Sequence, residues 1–147
     1  MAAEHADVVA DLKRRYESWF ADVGRTRPDN YSPPRIQIGT PHENPVVLTR
    51  QDWRGAGWGP KDRGHWEVNV TQAGEFDVKL TFQPSSAVAT VTFRFGDVHV
   101  ERVVEAGARS VVLSNLSLPA GPGNLEATLD VANESVGVTF VEISRQR

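Results

Sequence analysis

The run HWEVNVTQAGEFDVKLTF, His65–Phe82, alternates apolar and polar side chains. Trp66, Val68 and Val70 share one face. Further on, Phe76, Val78, Leu80 and Phe82 point one way while Asp77, Lys79 and Thr81 point the other. Successive strand side chains face opposite sides, so a period of two predicts strands with one buried face and one wet face. VTFRFGDVHV (Val91–Val100) repeats the pattern, with Val91, Phe93 and Phe95 inward and Gly96-Asp97 as a two-residue hairpin turn. Further strands are predicted at Ser110–Leu118, Leu125–Val131 and Val136–Ser144, separated by the turn clusters EAGAR and PAGPGN. Short alternating strands punctuated by glycine and proline predict an antiparallel β-sandwich over residues 65–147.

Toward the amino terminus the period changes. Val8, Val9, Leu12, Tyr16, Trp19, Phe20 and Val23 recur at three- and four-residue spacing, which predicts an amphipathic helix over residues 4–23 with Gly24 as a left-handed stop. Asp11, Lys13, Arg14, Arg15, Glu17 and Ser18 fill its other face. So short a helix is marginal alone in water, and its aromatic stripe calls for a cover. Residues 25–64 read as an extended connector: five of the nine prolines fall between Arg25 and Pro45, and RIQIG within it is a brief strand. The fold class is therefore mainly β, an antiparallel sandwich preceded by one helix and a Pro-rich connector, and the strand series resembles a carbohydrate-binding module.

A chain of 147 residues is long enough to bury a core, and 39% hydrophobic with 24% charged residues is a globular composition. No apolar run is long enough for a membrane span, and the first residues have no apolar core behind a basic leader. With zero cysteines there is no thiolate nucleophile or Cys-based zinc site. A net charge of -3 argues against nucleic acid as a partner. Arg25–Arg63 carries seven basic residues (Arg27 among them) against four acidic ones (Asp29 among them), whereas Trp66 onward has six against ten. This is either a mixed solvated surface or a mildly basic region suited to an anionic ligand.

Catalytic equipment is hard to find. In YSPPR, Ser32 is followed by proline and arginine one position too early for a sulfatase nucleophile motif. His5, His42, His65 and His99 are not spaced as metal ligands, and no glycine loop opens a helix to cradle phosphate. The Asn-x-Ser/Thr triplets at Asn30, Asn69, Asn115 and Asn133 are unremarkable outside a secretory context. No catalytic residue, metal or cofactor is expected. NPVVLTRQDWRGAGWGPKDRGHW (Asn44–Trp66) holds three tryptophans. Trp66 is in phase with the core, and Trp53 suits either the core or a sandwich edge. Trp58, between Gly57 and Gly59, either seals a gap or stacks on a sugar ring, with Arg50, Asp52 and Arg54 bonding its hydroxyls or sulfates.

The order YESWFADV, then RPDNYSPPRIQIGTPHENPVVLTRQDWRG, then GHWEVNVTQAGEFDVKLTF resembles the carboxy-terminal end of bacterial formylglycine-dependent sulfatases of the arylsulfatase type, from about His5 to Phe82. In that family a Trp-rich last helix precedes a Pro-x-Ile-x-Leu/Ile-Gly segment and a Thr-x-x-Asp-Trp motif. The resemblance implies that residues 1–24 are the terminal helix of a sulfatase-like fold and that Leu12, Tyr16, Trp19 and Phe20 pack against a catalytic domain. It implies a non-catalytic accessory module of a sulfatase (a sulfuric ester hydrolase), usually periplasmic or extracellular in the family. Arg50, Asp52, Trp53, Arg54 and Trp58 would be contacts to a sulfated polysaccharide. The alternative is a free-standing carbohydrate-binding sandwich. Burial of the helical stripe by this chain would favour independence, and its exposure would favour a partner.

Overall fold

A computed structural model describes residues 2–25, 33–132 and 134–146. Arg27, Asp29, Asn30, Ser32 and Asn133, named above, lie outside the described residues. The chain divides into two compact units, Met1–Pro34 and Arg35–Arg147.

In the first unit a 3-10 turn, Ala2–His5, leads into helix α1, Ala6–Gly24. Asp11 pairs with both Arg14 and Arg15, and Lys13 with Glu17, as three- and four-residue spacing allows on an exposed helix face. The rings of Tyr16 and Trp19 stand 5.8 Å apart, and those of Tyr16 and Phe20 5.9 Å. The expected left-handed stop does not form. Gly24 is the last helical residue, and Arg25 keeps a right-handed φ of -64°.

The second unit is the β-sandwich. Its strands are β1 (Ile36–Ile38), β2 (Val46–Thr49), β3 (Arg54–Gly55), β4 (Gly64–Val70), β5 (Gly74–Thr81), β6 (Ala89–Phe95), β7 (Val98–Val104), β8 (Ser110–Leu118), β9 (Gly121–Val131), β10 (Glu134–Gly137) and β11 (Phe140–Arg145). One sheet runs β1-β4-β9-β6-β7, with β10 beside β9 and β3 beside β4; the other runs β2-β11-β5-β8. Residues 35–64, read from sequence as connector with short strands, thus supply strands to both sheets. The inner faces share a single apolar cluster. Trp66, Val68, Phe93 and Leu125 come from one sheet and Leu48, Phe76, Val78, Leu80, Val141 and Ile143 from the other, all essentially without solvent contact. The faces assigned from the alternation in β4, β5 and β6 are the faces the core uses.

Two local expectations are corrected. The cluster PAGPGN is strand from Gly121 onward. Pro122 is tolerated because β9 pairs there with β4 alone, and its pairing with β6 begins only at Leu125. Gly123 is needed because a β-carbon there would lie 2.6 Å from the ring of Phe95. Second, Val136–Ser144 is two strands, not one. β10 pairs with β9 in the first sheet, and after Val138-Thr139 the chain crosses to pair β11 with β2 and β5 in the second. The brief strand of RIQIG, β1, joins β4 in parallel, in an otherwise antiparallel architecture.

Two turns follow from backbone chemistry. Gly96 opens the β6–β7 hairpin at φ 56°, as a tight two-residue turn requires. In β8 the register slips opposite Phe76–Val78, and Asn115 takes φ 58° with its N–H donating to Asp77 Oδ1 at 3.1 Å. That bulge turns both Leu113 and Leu118 toward the core across an odd spacing.

Candidate functional site

The Trp58 loop is built from the end of β2 outward. Thr49 Oγ1 donates to Asp52 Oδ2 at 2.8 Å and accepts from the Gln51 N–H at 3.2 Å, turning the chain sharply after the strand. The turn drops Trp53 into the core, 2% exposed, against Trp66 at 5.6 Å between ring centroids. Trp53 Nε1 donates to Gly57 O at 3.0 Å and Trp66 Nε1 to Thr49 O at 2.6 Å, so both indole donors are satisfied inside. Trp53 therefore cannot touch a ligand, which corrects its assignment as a substrate contact.

Arg50 lies over Trp53, its guanidinium carbon 4.7 Å from the ring centroid. It donates to the carbonyls of Gly59, Pro60, Gly137 and Val138. Four of its five N–H groups are thereby committed to backbone. Burial pulls its pKa below the ordinary guanidinium range, opposed by the charge of Asp62. Asp62 closes the loop from the other side: Oδ2 accepts from Gly59 N at 2.6 Å, and its carbonyl from Gly137 N at 3.0 Å. Gly57 and Gly59 lie so near that carboxylate that a β-carbon on Gly57 would collide with it. Arg50 is thus a clamp between the loop and the β10–β11 crossing. Asp52 is bonded to its own turn, and Arg54 is exposed and paired with Glu67 at 3.6 Å.

Of the five, Asp52, Arg54 and Trp58 are exposed, and Trp58, 72% exposed, is the aromatic one. Its loop is tied at Gly57, Gly59, Pro60 and Asp62, which leaves an indole standing in solvent on a braced backbone. Such a surface can stack on the C–H face of a sugar ring. Among the described residues, no three His, Asp or Glu side chains come together in a way that could hold a metal ion. No helix among them is long and apolar enough to cross a membrane.

The stripe on α1 is solvent-facing: Val8, Val9, Leu12, Tyr16 and Trp19 are between 47% and 61% exposed, and no residue of the helix is buried. Sequence patterns missed another place altogether. At the opposite end of β4 from the Trp58 loop, residues 39–42, Asn44, Thr71, Gln72, Arg145 and Gln146 line a half-open cavity of about 640 Å³. Its parts are scattered along the chain, and only strand pairing brings them together.

No family model matches the sequence, and no curated protein matches it. Among solved structures, the chain is similar to the GH26-CBM35 β-(1,4)-mannanase of Podospora anserina, with 13% identity and a TM-score of 0.53. The match covers 71% of this chain and 28% of that one, so the chain spans less than a third of the mannanase. A second match, protein YXIM of Bacillus subtilis, has 16% identity over 74% of this chain and 34% of that one, with a TM-score of 0.31. That score carries no argument, and the mannanase likeness is one of fold.

Proposed function

We propose that the chain is a non-catalytic carbohydrate-binding β-sandwich that uses Trp58 as its sugar platform. The observation that carries this reading is an indole 72% exposed on a loop held by Arg50 and Asp62. An exposed loop tryptophan with no cover costs solvation, and the bracing removes the flexibility that would otherwise weaken a contact. The fold likeness to a mannanase that carries a carbohydrate-binding module supports it. The test is titration of the full chain with β-1,4-linked mannan, xylan and cellulose oligosaccharides and with a sulfated glycan, followed by tryptophan fluorescence and calorimetry. Trp58→Ala should lower the affinity for the bound saccharide by about tenfold or more. Wild-type affinity in that variant, or no saccharide bound at all, would discard the reading.

A second reading keeps the sulfatase resemblance: the module completes a sulfatase catalytic domain and helps grip a sulfated glycan. It is favoured by the exposed stripe Val8, Val9, Leu12, Tyr16 and Trp19, which has the chemistry of a surface made to be covered. Joined to a formylglycine sulfatase catalytic domain, Leu12→Ser with Trp19→Ser should lower that domain's melting temperature. An unchanged melting temperature would remove the reading.

A further inference from the structure

We propose that the cavity at the Arg145 end of the sandwich binds the oxyanion, carboxylate or sulfate, of an acidic saccharide. Its volume of about 640 Å³ lies within the range of small-ligand sites. β4 runs from the Trp58 loop to Thr71, so its seven residues put the two places roughly 20 Å apart.

The charged side chain of the lining is Arg145, and no carboxylate side chain lines it. Asp77, in the same network, is taken up by Gln146 Nε2 at 3.0 Å and the Asn115 N–H. Arg145 is held at both backbone atoms: its N–H donates to Asn44 Oδ1 at 2.8 Å, and its carbonyl accepts from Asn44 Nδ2 at 3.0 Å. Its guanidinium donates to Gln72 Oε1 at 2.7 Å and, more weakly, to Ala73 O at 3.4 Å. The Nε is buried beside Gly74 and has no acceptor. Two of five N–H groups are therefore used, and among the described residues Arg145 has no acidic partner.

A guanidinium fixed in place but lacking a counter-charge is incomplete. Gln72 turns its Oε1 to Arg145, which leaves its amide nitrogen as a donor for a ligand, and the His42 imidazole is exposed in the same wall. The Arg145 guanidinium and the Gln72 amide nitrogen can both donate here, which suits an oxyanion with several lone pairs. The room left over, among amide and hydroxyl groups, suits a sugar ring. The saccharide part rests on the proposed carbohydrate-binding role; the anion site stands on its own geometry.

The test uses the full chain at low salt, titrated by NMR with glucuronate, glucose 6-sulfate, glucose and inorganic sulfate. At least one acidic sugar should bind about tenfold or more tightly than glucose, and whichever binds better identifies the oxyanion. Gln72→Glu places a carboxylate against Arg145 with almost no change of shape. It should remove most of that affinity while preserving the fold, and Trp58→Ala should not alter it. Acidic sugars binding no better than glucose, or equally well to Gln72→Glu, would overturn the site. Inorganic sulfate binding as tightly as the sulfated sugar would overturn its assignment to a saccharide. Loss of neutral-glycan binding at Trp58 touches neither result.

Discussion

The guanidinium of Arg50 rests 4.7 Å from the ring centroid of Trp53 while its nitrogens hold carbonyls of Gly59, Pro60, Gly137 and Val138. One side chain thus joins the Trp58 loop, the core indole and the place where the chain changes sheets. A basic residue in a loop is most easily read as a ligand contact. Here its donors are turned inward, and it serves the site by holding it.

Arg50→Lys keeps the charge and loses the planar fork, so carbonyls on two segments are left without donors. The expected loss is about 2 kcal/mol of unfolding free energy, read from urea denaturation. Unchanged stability would mean the clamp is dispensable.

Gly137→Ala would place a β-carbon 2.5 Å from Cζ3 of Trp53 and 3.0 Å from the Asp62 carbonyl. The clash should cost about 1–3 kcal/mol. Because Trp53→Phe removes the ring atoms concerned, the double variant should lose less than the sum of the two single ones. Strict additivity in thermal unfolding would contradict the packing.

Two of the tryptophans of Asn44–Trp66, Trp66 and Trp58, should separate cleanly by stability. Trp66→Ala empties a fully buried site and should cost roughly 3–5 kcal/mol. Trp58→Ala should stay within about 0.5 kcal/mol of wild type, as an exposed side chain does. A large destabilisation by Trp58→Ala would make that residue a sealing group and not a platform.

Asn115 holds a φ of 58° at the β8 bulge, a conformation that asparagine tolerates and β-branched residues resist. Asn115→Val should cost about 1–3 kcal/mol and Asn115→Gly much less. Equal melting temperatures for the two would show that the bulge relaxes.

The legible parts of the fold were those whose burial is periodic. Trp66, Val68 and Val70, or Phe76, Val78 and Leu80, must face one way in any strand, so the sheet faces followed from spacing alone. PAGPGN was misread because proline and glycine carry turn signals locally, and only the neighbours decide whether they interrupt a ladder. At Pro122 the missing N–H matters little where β9 has a single partner, and at Gly123 the absent side chain leaves room for Phe95. The break at Val138-Thr139 was hidden for a related reason: both flanking segments are apolar enough for a strand, and the sheet each joins is a long-range matter. In the site, the flanking glycines took Trp58 out of any strand phase and left open whether it seals a gap, Trp53 suited core or edge alike, and Arg50 carried no local sign of facing inward.

By itself, the sequence determined an amphipathic helix and a sandwich of alternating strands, because periodicity is a local property. Only the tertiary structure decided that Arg50 is a clamp, that Trp53 is core, and that Asn44 and Arg145, 101 positions apart, meet at the wall of a cavity. Those outcomes depend on which strand ends are brought together, and pairing between distant segments is set by the packing of the whole core.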